Sequence, residues 1–282
     1  MILSGKAALA GVMGWPVGHS RSPRLHGYWL EQLGLDGAYL PLAVRPDDLE
    51  SALRALPKLG FRGCNLTVPH KEAALELCDE ADANARRIGA VNTVVVGPEG
   101  SLRGRNTDAY GFRQNILQCV AEDGLDWSFD AGPAVVLGAG GAARAVLSAL
   151  ADAGTPEVRL VNRTRARAEA LMQEMELAGS VHDWGDGSAL EGANLLVNTT
   201  SLGMTGQPPL AIDLAPLPKQ ALVHDIVYAP LLTGLLEAAR ARGNPTVDGL
   251  GMLLHQAVPG FAAWFGTTPE VTAELRSFVL QD

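Results

Sequence analysis

The sequence predicts an α/β fold in two domains, each built on an open, mainly parallel sheet. Three observations carry this reading. Short apolar runs of strand length alternate with helical segments through both halves of the chain, and parallel strands need crossover helices of this kind. The chain has 282 residues, about twice the ~150 of a typical domain. One apolar run, at 134–137, leads straight into a glycine-rich turn and a helix, the junction of a doubly wound sheet.

The elements follow in order. Residues 8–14 read as a buried strand, 23–33 as a helix behind Ser22, 39–44 as a strand, and 46–56 as a helix with Pro46 in its first turn. A further strand covers 63–68 and a helix 72–78. Residues 91–96 and 102–106 flank Gly97-Pro98-Glu99-Gly100 and read as a hairpin, an antiparallel addition to the series. Residues 125–132, with Gly, Asp and Ser around Trp127 and Phe129, look like the approach to a new domain, with a second series of strands and helices after it. There, strands at 134–137, 157–161, 195–198 and 222–227 accompany helices at 142–153 and 165–177. The last stretch, 250–282, has a helical period with stops at Gly266 and Pro269.

Composition excludes several classes. Lys and Arg number 22 against 31 Asp and Glu, a net charge of −9 that repels polyanions and disfavours nucleic acid as a partner. Although 47% of residues are hydrophobic, no apolar run of about 18 residues is free of charge, Gly or Pro, so no membrane span is expected. The apolar stretch 7–17 behind Lys6 is broken by Gly11, Gly14 and Pro16, which favours a strand entering a turn over a signal peptide. Cys64, Cys78 and Cys119 show neither CxxC nor Cys/His ligand spacing. We therefore expect no disulfide framework, no metal site and a reduced, cytoplasmic setting.

Gly138-Ala139-Gly140-Gly141-Ala142-Ala143 fits G-x-G-x-x-[GA]. Such a string is common in a chain with 32 glycines, so its context decides. It leaves an apolar strand and enters a helix, which lets glycine backbone approach a pyrophosphate at a helix N-terminus in a Rossmann-like domain. An NAD-binding chain carries an acid at the end of the second strand, for the ribose 2′-hydroxyl. This chain has Asn162-Arg163-Thr164-Arg165-Ala166-Arg167 there. Guanidinium groups at that place suit a 2′-phosphate, so NADP is the expected cofactor. A solvated basic face is the alternative, but a basic first turn opposes the helix dipole.

Polar residues also crowd the strand ends of the first half. They are His19-Ser20-Arg21-Ser22-Pro23, Asn65-Leu66-Thr67-Val68-Pro69-His70-Lys71, Asn92-Thr93 and Asn106-Thr107-Asp108. Hydroxyls, amides, a Lys and an Asp at strand carboxyl ends would suit a small polyhydroxylated acid. Each alone also has an ordinary structural role: Ser22 as a helix cap, Thr67 in a strand, Asn92 in a turn, Lys71 on a helix surface.

Taken together, these segments resemble the shikimate dehydrogenase family. The resemblance runs in order through Gly14 to Pro23, Asn65 to Lys71, Gly89 to Thr93, Asn106 to Asp108, the glycine turn and Asn162 to Thr164. It continues through Asn198 to Met204, Asp225 to Tyr228 and Asp248 to Ala257. It implies a substrate domain at 1–107 and 249–282, to which the C-terminal helices return, and an NADP-binding domain at 108–248. It also implies that Ser20, Ser22, Thr67, Lys71, Asn92, Asp108, Tyr228 and Gln256 contact shikimate. Gly138 to Ala143, namely Gly138, Ala139, Gly140, Gly141, Ala142 and Ala143, would line the cofactor with Asn162, Arg163, Thr164, Arg167, Ile226, Gly249 and Met252. His70 stands where the family often has Phe, and Ala109 where it often has Gly; neither alters a group expected to do chemistry.

The implied reaction interconverts shikimate and 3-dehydroshikimate, with the active site in a cleft that closes to exclude water. Lys71 and Asp108 are the candidates to manage the proton, Lys71 by transferring it and Asp108 by orienting Lys71 and substrate. Ser20 and Ser22 would serve the substrate carboxylate. Three rival readings stay open: a quinate/shikimate dehydrogenase with broader substrate or NAD use, a folate-linked dehydrogenase, and a non-catalytic dinucleotide-sensing regulator. Whether the chain forms a homodimer is also open.

Overall fold

The first strand, β1 (Ala8–Gly14), lies inside its sheet, parallel to β2 (Gly37–Ala43) on one side and β3 (Phe61–Leu66) on the other. A strand covered on both faces needs a continuous apolar run, which explains its sequence. The computed structural model that shows this describes residues 2–281. Helix α1 (Ser22–Gln32) links β1 to β2, and α2 (Leu49–Ala55), entered through a 3₁₀ turn at Pro46–Asp48, leads to β3. Then come α3 (Ala73–Leu77), β4 (Glu80–Ala81) and α4 (Ala83–Ile88). The antiparallel hairpin of β5 (Thr93–Val96) and β6 (Leu102–Arg105) follows, as the turn residues between them require.

The sheet order is β2-β1-β3-β5-β6-β4. Leu49, Leu53 and Leu56 pack with Met13, Leu66, Val94 and Leu102 in the core of this unit. Helix α1 begins at Ser22 itself, one residue earlier than its proline predicts, and no side chain caps it. Strand β3 ends at Leu66, two residues short of the expected 68; Pro69 has no N–H to extend a ladder.

The second sheet is wholly parallel. Helix α5 (Asp108–Glu122) precedes β7 (Ala134–Leu137), α6 (Gly141–Asp152), β8 (Val158–Asn162), α7 (Arg165–Glu174) and β9 (Gly179–Asp183). Next are β10 (Leu195–Asn198), β11 (Leu222–Asp225), α8 (Gly234–Arg242) and β12 (Thr246–Val247). The order is β12-β11-β10-β7-β8-β9. The chain steps from β7 to β8 on one side and later to β10 on the other, so β7 and β10 bracket the switch point of a doubly wound sheet. Leu137, Leu196, Val223, Leu235 and Leu236 form part of its core.

Two further helices close the chain, α9 (Leu250–Phe265) and α10 (Ala273–Leu280). The chain separates into one unit of Met1–Thr107 with Leu254–Asp282 and another of Asp108–Leu253, so the second crossing falls inside α9. Trp264 on α9 is fully buried and donates its indole N–H to the Val94 carbonyl at 3.0 Å. Arg21 and Arg24 on the opening turns donate to the carbonyls of Val279 and Phe278 at 2.7 and 2.8 Å. Residues 125–132 are not the approach to a new domain that their composition suggested, since the second unit already begins at Asp108 and they lie well inside it. There Trp127 packs edge-on against Phe129 at 4.9 Å and donates to the Asn194 carbonyl at 3.1 Å. Among the described residues no helix is long and apolar enough to cross a membrane.

Candidate functional site

In the second unit the expected cofactor residues gather at the carboxyl ends of the parallel strands. Gly138 follows β7 with φ +101°, a conformation that a side chain would strain. A Cβ there would also come within 2.8 Å of Thr200 Cγ2. Gly140 occupies the N-cap of α6 without any side-chain cap, and a Cβ on Gly140 or Gly141 would meet nothing within 4 Å. The first N–H groups of this twelve-residue helix thus have no side-chain cap, and the glycines beside them leave room for a ligand to approach, as a pyrophosphate requires. Ala142 is half-buried, whereas Ala139 and Ala143 are buried, so these two serve the close packing of turn and helix on the sheet.

The structure separates the three arginines beyond β8. Arg165 is engaged: its Nε meets Glu169 at 2.9 Å and its NH1 meets Asp183 at 3.5 Å. Arg163 and Arg167 are exposed, and neither side chain has a hydrogen bond or ion pair among the described residues. The Asn162 amide donates to the Thr164 carbonyl at 2.9 Å and shapes the turn, with Thr164 at the N-cap of α7.

Asn198 and Asp225 face each other across β10 and β11 and join two loops. The buried Asp225 carboxylate accepts from Asn198 Nδ2 at 2.9 Å, from the Val227 N–H at 3.0 Å and from the Thr233 hydroxyl at 2.6 Å. Burial pushes its pKa up, against these three donors. Asn198 in turn accepts from the Thr200 N–H at 3.0 Å and donates to the Leu202 carbonyl at 3.2 Å. Residues 226–233, which carry Ile226 and Tyr228, are thereby closed into a fixed loop. Gly249 lies against that loop, since a Cβ there would stand 2.1 Å from the Ile226 carbonyl oxygen. Met252, half-buried, is on the first turn of α9, and half-buried Asp108 opens α5.

The first unit holds six of the eight expected substrate residues, whereas Asp108 and Tyr228 belong to the second. Ser20 and Ser22 follow β1, Thr67 and Lys71 follow β3, and Asn92 precedes the antiparallel β5, so all lie at one end of the sheet. β1 and β3 flank its switch point. Ser20 Oγ accepts from the Ser22 N–H at 3.3 Å, and the Thr67 N–H donates to the Met13 carbonyl at 3.0 Å. The Lys71 carbonyl accepts from the Val91 N–H at 2.8 Å, tying the segment before α3 to the one that carries Asn92. His70 is buried with Nε2 2.8 Å from the Val44 carbonyl, a packing contact one residue from Lys71. Asn92 Nδ2 reaches Gln256 Oε1 at 3.4 Å, so α9 brings Gln256 to this group.

Sequence reasoning did not single out Tyr39, Asn65, Thr93 or Thr107 as site residues. The structure joins them to Asn92: the Tyr39 hydroxyl donates to Asn65 Oδ1 at 2.6 Å, and Asn65 Nδ2 donates to the Asn92 carbonyl at 3.1 Å and to Thr93 Oγ1 at 3.0 Å. Burial raises the Tyr39 pKa well above the tyrosine range, keeping the hydroxyl protonated as a donor. Asn65 and Thr93 sit in the quoted motifs, a signal that was present. Among the described residues no group of three or more His, Cys, Asp or Glu is placed to hold a metal ion.

Comparison with known proteins identifies the family. Residues 12–94 match the shikimate dehydrogenase substrate binding domain, and residues 120–201 match shikimate / quinate 5-dehydrogenase. The chain is 63% identical over 280 residues to the shikimate dehydrogenase (NADP(+)) of Paramagnetospirillum magneticum, covering 99% of this chain and 100% of that one. It is 58% identical to that of Rhodospirillum rubrum, covering 99% of each. Thermus thermophilus shikimate 5-dehydrogenase, solved in complex with NADP(H) and shikimate, superposes with a TM-score of 0.83 at 39% identity, over 96% of this chain and 98% of that one. Quinate dehydrogenase from Corynebacterium glutamicum, solved in complex with NAD, gives a TM-score of 0.88 at 34% identity, over 97% and 99%. With near-complete coverage at such identity, the chain belongs to the shikimate dehydrogenase family.

Proposed function

We propose that this protein is an NADP-dependent shikimate dehydrogenase that reversibly reduces 3-dehydroshikimate to shikimate in aromatic amino-acid biosynthesis. The observation that carries this is 63% identity over 99% of the chain to an enzyme of that name. The unit containing residues 1–107 is assigned the substrate and the unit containing residues 108–248 the cofactor, with the C-terminal helices from residue 249 serving the first. Three cysteines without disulfide partners suit a cytoplasmic location.

Bound NADPH supplies the hydride. The open backbone at Gly140 and Gly141 and the free guanidinium groups of Arg163 and Arg167 are the groups that would hold its pyrophosphate and 2′-phosphate. Ile226, Gly249 and Met252 would line the rest. Ser20 and Ser22 donate hydroxyl bonds to the substrate carboxylate, while Thr67, Asn92, Tyr228 and Gln256 orient the ring. Lys71, as ammonium, polarises the C3 ketone and gives its proton to the oxygen as the carbon receives hydride; Asp108 orients Lys71 and the substrate. In the oxidative direction Lys71 takes that proton back.

The test is absorbance at the reduced-nicotinamide band on mixing the protein with shikimate and NADP, repeated with quinate and with NAD. Turnover with shikimate and NADP, at the highest kcat/KM of the four pairs, is expected. No turnover with that pair overturns the proposal, and a higher kcat/KM with quinate or NAD transfers it to the broader quinate/shikimate class.

A further inference from the structure

The first unit contains a buried run of side-chain hydrogen bonds whose direction is fixed at both ends by backbone groups. At one end the Thr107 N–H meets a side-chain atom of Asn92 at 2.9 Å. A backbone N–H only donates, so that atom is Oδ1, and the Asn92 amide has one permitted orientation. At the other end the Asn65 amide lies 3.1 Å from the Asn92 carbonyl. A carbonyl only accepts, so the Asn65 atom is Nδ2 and its Oδ1 faces Tyr39.

The proton positions between these ends then follow. The Tyr39 hydroxyl, 2.6 Å from Asn65 Oδ1, donates to it. Asn65 Nδ2 donates to Thr93 Oγ1 at 3.0 Å; the Thr93 hydroxyl has Asn92 Oδ1 at 2.9 Å as its nearer acceptor and the Thr107 hydroxyl at 3.3 Å. The Thr107 hydroxyl stands 3.1 Å from Asn92 Oδ1. Tyr39, Asn65, Asn92, Thr93 and Thr107 are all buried, so water does not compete for these bonds. Tyr39 is itself held from turning by His26, whose ring stacks on it at 3.9 Å with an interplanar angle of 8°.

The consequence lies on the other side of Asn92. With Oδ1 accepting, the donor side of the amide, Nδ2, is turned toward Gln256 Oε1 at 3.4 Å. We propose that, with the Thr107 N–H setting which way the Asn92 amide faces, Tyr39 and Thr93 are positioning residues that brace it there as a hydrogen-bond donor, so that its part of the site selects a substrate oxygen with an available lone pair, a hydroxyl or a carbonyl. This rests on the assignment of Asn92 to the substrate. Neither Tyr39 nor Thr93 touches substrate in this scheme; both act through the orientation of one amide.

The experiment compares Tyr39→Phe, Thr93→Val, Thr93→Ser, Asn92→Ala and Asn92→Asp by steady-state kinetics and thermal melting. Tyr39→Phe and Thr93→Val are expected to raise KM for shikimate roughly five- to twenty-fold, the loss of about one buried hydrogen bond, with KM for NADP unchanged. Thr93→Ser, which keeps the hydroxyl, restores KM. Asn92→Asp still accepts from Thr93 and Thr107 but presents no N–H, so it raises KM for shikimate in a folded protein. If Asn92→Ala leaves that KM unchanged, the placement of Asn92 at the substrate is wrong. If Asn92→Ala raises it while Tyr39→Phe and Thr93→Val lower only the melting temperature, the positioning role alone is overturned. Should Tyr39→Phe fail to fold, the Thr93→Val and Thr93→Ser pair decides the matter in the same way.

Discussion

Lys71 and His70 are one residue apart and do different work. His70 spends its ring on the Val44 carbonyl inside the unit, while Lys71 is half-buried at the same end of the sheet as the serines. A proton-transferring group supplies about 10²–10⁴ in rate, so Lys71→Ala should lower kcat by that order while KM for shikimate changes a few-fold. Near-normal kcat in steady-state assays would remove Lys71 from its role. The arginines offer a sharper contrast. Arg163→Ala should raise KM for NADPH by roughly ten- to a hundred-fold, the value of a charge-assisted hydrogen bond. Arg165→Ala should leave it within about two-fold, because that guanidinium is already paired with Glu169 and Asp183. Equal effects of the two substitutions would reject the separation. The sequence shows three arginines on one turn but not which of them a neighbouring strand neutralises, since Asp183 lies on β9. Tyr39 was illegible for the same reason: its partner, Asn65, is brought beside it by sheet pairing, not by local spacing.

At the scale of elements, the long, strongly apolar strands were the most legible, and β1, β7 and β10 end where their sequences imply. Helix α5 was not legible as such because the Asn106-Thr107-Asp108 motif reads as the close of a hairpin. Its buried positions, Ala109, Phe112 and Ile116, are nonetheless spaced for one helical face. Short pieces such as β4 and α8 carried too little period to stand out. The glycine turn was legible from its context, and the structure adds why alanine is excluded at its first position. Gly138→Ala combines φ +101° with a 2.8 Å approach to Thr200 Cγ2. Strain of this kind costs about 1–3 kcal/mol. We expect a melting temperature lower by several degrees, and a raised KM for NADPH because the turn must move away from Thr200. An unchanged melting curve with normal NADPH kinetics would show that the turn tolerates a side chain.

For the molecule as a whole, each unit buries a neutral histidine, and this sets how folding responds to acid. His26 in the first unit and His224 in the second are fully buried, and desolvation lowers each pKa from 6.5 to about 3. His26 has no hydrogen-bond partner at either ring nitrogen; His224 Nε2 meets only the Asn115 amide, at 3.1 Å. Between about pH 3 and 6.5 the unfolded chain binds a proton at each site that the folded chain refuses. The unfolded state therefore carries more protons, and stability must rise with pH through this window and be complete above it. At pH 5 each histidine should remove about 2 kcal/mol relative to neutral pH. His26→Phe loses no hydrogen bond and stays in its aromatic surroundings of Tyr39, Trp29 and Phe261. Its melting temperature should consequently fall less between pH 7 and pH 5 than that of the parent protein, with a further reduction in slope when His224→Phe is added. A His26→Phe protein with the parental slope would show that this histidine takes up a proton without unfolding the unit that holds it.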